Sequence, residues 1–235
     1  MSSATETSFA DVLLQSARPY PIATNPFVAA LRRGECSRDQ VRAYAQMITV
    51  AAIGFPRVLA NVLMWCDRAE IRQSLLGNLL EEEGVVAYRP GEGVVVAPQR
   101  RHAAMARRFA AAAGVEADAL TRLHQSESRW YRDAAERGDW IGAFSYFAIG
   151  YEANVPESFR LIHPALIEHY GFAGEDLEFL TEHMTADERH GRESAEMLAG
   201  VTGPAERQRA LDGARRGGMS WWMIHRRLAQ ASTRI

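Results

Sequence analysis

The chain has 235 residues, 47% hydrophobic and 24% charged, with a formal net charge of -2. That length supports one sizeable core and is short for two ordinary domains; the near-neutral balance argues against a nucleic-acid binder, which concentrates basic charge on one face. All 27 basic residues are arginine, which removes Schiff-base chemistry and lysine general bases.

The two cysteines, Cys36 and Cys66, fit a reduced cytoplasmic protein better than a disulfide scaffold. The first residues, Met1 to Phe9, lack the basic and apolar regions of a signal peptide. No run of about 18 apolar residues is present, so no membrane span is expected.

Ser8 predicts the cap of a helix from Phe9 to Ala17, broken by Pro19 and Pro21. Asn25-Pro26 reads as N-cap and first residue of a short helix to Arg33. Ser37 and Gln40 form a capping-box pattern ahead of a long helix to about Trp65, which Pro56 should kink or split. Asp67 is the expected cap of the next helix, which carries Leu75, Leu76, Leu79 and Leu80 and ends in Glu81-Glu82-Glu83-Gly84. Pro90, Gly91, Gly93 and Pro98 mark Gly84–Gln99 as a loop, of a length that is usually functional or mobile, with one short extended piece at Val94-Val95-Val96.

Helical periodicity resumes over Arg100–Ala113, Ala117–Arg137 and Trp140–Leu161, with a kink expected at Pro156. Pro164–Tyr170 adds a turn or two, Glu175–Leu198 a long helix, and Pro204–Ala231 a last one that Gly217-Gly218 should interrupt. No strand pattern competes. The fold class is therefore all-α, a single domain over residues 1–235 with seven to eight helices.

Chemistry concentrates at His183, Asp187 and His190. At i, i+4 and i+7 of a helix they fall within roughly 60° of one another, because each residue turns the helix by about 100°. Two imidazoles and a carboxylate on one face suit iron, manganese or zinc; the alternative is a set of surface polar residues. Glu152 sits among Tyr146, Phe147, Ile149 and Val155, where a carboxylate is costly unless it ligates or pairs with an arginine. The acids Glu81-Glu82-Glu83 oppose the dipole at a helix C-terminus, which favours a functional reason for at least one of them. His102 opens the helix after the loop.

Taken in order, these segments resemble a known family. Asn25-Pro26-Phe27 with Arg33-Gly34-Glu35, then Gly54-Phe55-Pro56-Arg57, then Asn78 through Gly84 are followed by His102. Tyr151-Glu152-Ala153 through Tyr170-Gly171 and the His183, Asp187, His190 triplet complete a pattern spanning about Tyr20 to Gly200. It is similar to the haem-oxygenase-like diiron oxidases and oxygenases, within the haem-oxygenase-like superfamily. The resemblance implies a haem-oxygenase-like helical bundle with six metal ligands: Glu82, His102, Glu152, His183, Asp187 and His190. Glu81 and Glu83 remain open as alternatives to Glu82. The spacing from Glu82 to His102 is longer than is usual in the family, and the absence of lysine removes relatives that use one in their reaction.

The resemblance further implies two irons, with manganese the other metal that suits these oxygen and nitrogen donors, and O2 as co-substrate. The expected reaction is N-oxygenation, desaturation or oxidative C–C cleavage of a small amino-acid-like or carboxylate substrate in a biosynthetic pathway, by a cytoplasmic homodimer. Phe55, Tyr146, Phe147 and Tyr151 are expected around the pocket, with plain core packing the commoner role of such residues; Arg57 and Arg160 are candidates to meet a substrate carboxylate, with a surface salt bridge the favoured role for either. Two other readings stand beside it. One is a metal-free enzyme of this fold, as in thiaminase II or pyrroloquinoline-quinone synthase C; the other is a non-enzymatic helical interaction protein.

Overall fold

A computed structural model describes residues 7–121 and 138–230. Within them nine helices form: α1 Phe9–Ser16, α2 Pro26–Arg32, α3 Arg38–Trp65, α4 Ala69–Glu82, α5 His102–Ala112, α6 Trp140–Phe144, α7 Val155–Tyr170, α8 Glu178–Ala199 and α9 Pro204–Leu228. Residues 117–121 are also helical, and the rest of the helix expected to Arg137 lies outside the described residues. The all-α class holds, with more helices among the described residues than the seven to eight expected; the break expected between Leu161 and Pro164 falls instead between Phe144 and Val155, where the hydrogen-bonding period changes.

Local chemistry sets several helix starts as expected. Ser8 accepts from the Asp11 amide, Asn25 from the Phe27 amide, and Ser37 with Gln40 makes a complete capping box. Asp67 does not cap α4; Arg68 occupies the N-cap position without a side-chain bond. Pro56 neither splits nor ends α3, which runs unbroken through it. Among the described residues α3 alone is long and apolar enough to cross a membrane, and here it packs against α4 and α5.

The expected absence of strands is corrected. Val85–Arg89 (β1) and Gly93–Val96 (β2) pair antiparallel as a hairpin, where only one extended piece was expected. Both strands are valine-rich, and Gly91 and Gly93 supply the positive φ of the turn, +84° and +85°. The hairpin closes on itself at its base, where the Ala97 amide donates to the Gly84 carbonyl at 2.8 Å. The inserted residues thus return the chain to the end of α4, and α5 starts at His102.

Two apolar clusters flank the middle of the bundle. One gathers Phe27, Tyr44, Phe109, Phe159 and Leu166; the other gathers Leu13, Leu59, Ile71, Ile141 and Leu198. The helices α3, α8 and α9 contribute to both. The middle of α8, from His183 to His190, therefore lies between two packed regions.

The break between α6 and α7 falls before Pro156. Ser145–Tyr151 is π-helical and Glu152–Asn154 is a 3-10 turn. Pro156 sits in the first turn of α7, where a missing N–H costs nothing, and Pro164 lies inside α7 without ending it. The Asn154 side chain donates to the Gly150 and Ala17 carbonyls, both at 2.8 Å, and Arg18 donates to the Ala153 carbonyl at 3.0 Å. These bonds satisfy backbone acceptors where the helical ladder changes period.

Gly217-Gly218 does not interrupt α9. These glycines let α9 press its backbone against the π segment. A Cβ on Gly217 would lie 2.8 Å from the Gly150 Cα and closer still to the Tyr146 carbonyl oxygen. Neither neighbour is a movable side-chain end, so the contact tolerates no larger residue. Gly217→Val should lower the melting temperature by about 5 °C or more through overpacking, whereas an α9 interrupted at that glycine would tolerate the change; circular dichroism melts decide.

Candidate metal centre

The six residues singled out from the sequence come from four parts of the bundle. Glu82 is the last residue of α4 and His102 the first of α5. Glu152 opens the 3-10 turn after the π segment, and α8 carries His183, Asp187 and His190. Glu82, His102, Glu152, His183 and Asp187 are buried, and His190 nearly so.

Glu82, His102 and His183 each direct one donor atom into a common space, all within 4.8 Å of one another. His102 Nδ1 lies 2.9 Å from Glu82 Oε1 without the alignment of a hydrogen bond, so this buried nitrogen has no hydrogen-bond partner. The His102 and His183 rings meet edge to face, with centroids 4.5 Å apart. His183 donates its Nδ1 proton to the Phe179 carbonyl at 2.7 Å, which leaves the Nε2 lone pair free to bind a metal.

Glu152 is held on one side only. Its Oε1 accepts from Asn78 Nδ2 at 3.0 Å, while Oε2 is buried with no partner. Asn78 lies one turn before Glu82 on α4, so the same helix supplies one acid and steadies another. Close approach of α8 to the 3-10 turn brings Asp187 and His190 toward Glu152. At Gly191 a Cβ would stand 3.1 Å from the Ala153 Cα. His190 Nδ1 faces Asp187 Oδ1 at 3.7 Å, and its Nε2 contacts Glu81 Oε2 at 3.2 Å and Arg189 Nη2 at 3.1 Å.

The three consecutive acids thus have three settings. Glu82 is buried with His102, Glu81 lies on the outer side of His190, and Glu83 is exposed beside Arg101.

The electrostatics are those of a site lacking a counter-charge. Burial, then the nearby Asp187 carboxylate, pushes the Glu152 carboxyl up to about 8. Burial, then Glu82, holds Asp187 well above the usual carboxylate range. Burial, then His102, lowers His183 to about 3. For His102 burial acts to lower the pKa, but the Glu82 carboxylate outweighs it and the net shift is upward. A dication among these groups would reverse the carboxylate shifts and satisfy the open lone pairs. The residues therefore fit a metal.

A cavity adjoins the donors and is bordered by Glu82, Glu152, His183 and Asp187. Its apolar wall includes Ala51, Ala52 and Phe55 of α3, and Phe159, Phe179 and Trp221. Tyr151 also borders it, its hydroxyl 3.1 Å from Ser220 Oγ. Of the four aromatics expected around the pocket, Phe55 and Tyr151 line it. Tyr146 stacks behind Tyr151 and Phe147 behind Phe55. Neither candidate arginine borders the cavity, and Arg160 has the surface salt bridge favoured for it. Arg57 is exposed on α3, and Arg160 is paired with Glu188 at the surface. The wall residues Phe159, Phe179 and Trp221 have no signature of their own in the sequence, whereas Asn78, which opens the motif running to Gly84, is the residue that holds Glu152.

A family model described as an iron-containing redox enzyme matches residues 42–222. The chain is 30% identical over 179 residues to a 4-aminobenzoate synthase of Chlamydia muridarum, covering 74% of this chain and 70% of that one. It is 24% identical over 214 residues to a 4-aminobenzoate synthase of Chlamydia pneumoniae, covering 88% and 89%. Among solved structures it is similar to a CADD-like protein of unknown function from Nostoc punctiforme, with a TM-score of 0.60, 18% identity, and 95% and 96% of the two chains covered. That likeness shows the fold, and the match of the family model extends over most of the bundle: the chain belongs to the iron-containing redox enzyme family of the haem-oxygenase-like superfamily.

Proposed function

We propose that the chain is a diiron oxidase or oxygenase that uses O2 to oxidise a small carboxylate or amino-acid-like substrate in a biosynthetic step. The observation that carries this is the buried cluster of Glu82, His102 and His183, with Glu152 and Asp187 buried on the same apolar cavity as Glu82 and His183 and with His190 beside Asp187. Glu82, His102 and His183 would hold one ion, and Glu152, Asp187 and His190 the other. Donors that are all oxygen and nitrogen favour iron or manganese over structural zinc, and the family is iron-containing. Bound irons supply redox electrons and open positions for O2.

The chain's own residues do the remaining work. Phe179 and Asn78 fix the orientation of His183 and Glu152. The apolar wall keeps water from the reacting atoms. The similarity to 4-aminobenzoate synthases supports a biosynthetic role. A metal-free reaction built on a cysteine is disfavoured: burial pushes the Cys36 thiol up to about 11 and also raises Cys66, and neither borders the cavity.

Anaerobic reconstitution with Fe(II) should give two irons per chain, and O2 should be consumed on exposure to substrate. His183→Ala should lower affinity for the first ion by at least about 100-fold, because loss of even an orienting partner costs 10–100-fold. No iron uptake, or unchanged uptake in that variant, contradicts the assignment.

Glu81 contacts the outer nitrogen of His190, so Glu81→Ala should weaken the second ion by about 10–100-fold. Glu83→Ala, at the exposed Arg101 contact, should leave both ions unchanged. Isothermal titration with Mn(II) separates the two.

Metal uptake should depend on pH with a definite sign. A carboxyl whose folded pKa is raised stabilises the metal-free fold below its unfolded value and loses that contribution as pH rises through the folded value. For Glu152 the window runs from the ordinary carboxylate value of 4.5 to about 8. His183, lowered to about 3, is already neutral above pH 6.5. The metal-free protein should therefore lose stability between pH 6.5 and 8, while metal affinity rises as protons cease to compete. Melting curves with and without Mn(II) should diverge across that range; parallel curves contradict the expectation.

A further inference from the structure

We propose that metal reaches the buried centre through a separate pocket beneath the hairpin, with Glu182 of α8 and the β1 valines forming the port and His102 the first ligand met. The inference rests on the reading that Glu82, His102 and His183 hold an ion, and it concerns the route that ion takes.

The pocket lies between β1, the start of α5 and α8. It is bordered by Val85 and Val86, by His102, and by Glu182, Ala186 and Arg189. His102 borders this pocket and not the apolar cavity, whereas Glu82, Glu152, His183 and Asp187 border the cavity and not the pocket. The His102 residue is only 5% exposed, and its Nδ1 has no hydrogen-bond partner. A buried imidazole with an open nitrogen thus stands at the inner end of a polar opening.

The two approaches differ in what they offer a dication. Through the cavity a hydrated ion would shed water against Phe55, Phe159, Phe179 and Trp221, which is costly. The pocket instead presents carboxylates outside the proposed ligand set. Glu182 meets Arg100 at 4.0 Å and Glu81 meets Arg189 at 3.5 Å, so neither acid is held in a tight pair. An outer cleft along α1 and α8 reaches Asp187, but there Asp11 and Glu188 are paired more tightly, with Arg192 at 3.0 Å and Arg160 at 2.5 Å.

Local backbone builds the port. Glu182, Ala186 and Arg189 stand at i, i+4 and i+7 of α8 and so share one face, and the small Ala186 leaves space between the two charged side chains. On the hairpin the pairing register shifts between Val85 and Ala87, which leaves Val86 without a paired residue. Side chains of a regular strand alternate between faces. The irregularity lets the consecutive Val85 and Val86 both border the pocket.

The test uses the full metal-free chain mixed anaerobically with Mn(II). Rapid-mixing electron paramagnetic resonance follows the loss of free Mn(II), transfer to excess EDTA gives release, and calorimetry gives Kd. Val86→Trp narrows the mouth without a change of charge. Uptake and release should then both slow at least about fivefold, with Kd kept within about twofold, because a residue on the route alters the barrier and not its end states. Glu182→Gln should slow uptake by about three- to tenfold, and Arg100→Gln should speed it by a similar factor, since the charge of a cleft steers an ion. All three positions are solvent-accessible in the folded chain, so the variants keep the core intact. Glu157→Gln, in the outer cleft, should leave uptake unchanged. Unchanged rates in Val86→Trp and Glu182→Gln, a changed Kd with an unchanged uptake rate, or slowing by Glu157→Gln instead overturns this inference alone. A chain that takes up no Mn(II) overturns the reading beneath it.

Discussion

The structure depends on the burial of three carboxylates, Glu82, Glu152 and Asp187, around a space that contains no arginine or lysine among the described residues. Placing three acids together in an apolar interior is unfavourable by desolvation and by mutual repulsion, and the raised pKa values of Glu152 and Asp187 record both costs. Protonation relieves the strain in the metal-free protein; a pair of dications would relieve it more completely. The imidazoles fit the same arrangement. His183 is kept neutral by burial and by His102, and its Nδ1 is already occupied by the Phe179 carbonyl.

The surrounding fold holds these groups by rigid backbone contacts. The α9 glycines let two helical segments meet backbone to backbone, which anchors the π segment that precedes Glu152. Such a widened turn is a common way to re-aim a residue at a functional site. The hairpin after α4 performs a different task. By closing at Gly84 and Ala97 it brings His102 beside Glu82 although many residues separate the two in the chain. Packing on either side of the centre is apolar, and among the described residues the buried carboxylates are confined to this centre.

Parts of this were legible in the sequence for definite physical reasons. The spacing of His183, Asp187 and His190 reads directly as one helical face, and capping chemistry at Ser8, Asn25 and Ser37 marks helix starts without tertiary information. The spacing from Asn78 and Gly84 favours Glu82 among the three acids but leaves Glu81 and Glu83 open, since adjacent residues on a helix end differ only in the direction each faces. Burial distinguishes Glu82, and contact with His190 distinguishes Glu81. The hairpin is hard to see in the sequence because its strands are short and lie inside a glycine-rich segment. The π segment carries no sequence signature, because the close contact at Gly150 and Gly217 that accompanies it is tertiary. The cavity wall was half visible: Phe55 and Tyr151 are near motif residues, whereas Phe159, Phe179 and Trp221 arrive from other helices. That no arginine faces the cavity can be seen only once the helices are assembled.

The most direct measurement of the central claim is anomalous diffraction at the iron edge from crystals of the protein reconstituted anaerobically with Fe(II). The account predicts two peaks, one among Glu82, His102 and His183 and one among Glu152, Asp187 and His190. Absence of iron from this cavity, or iron bound only at surface acids, would contradict it.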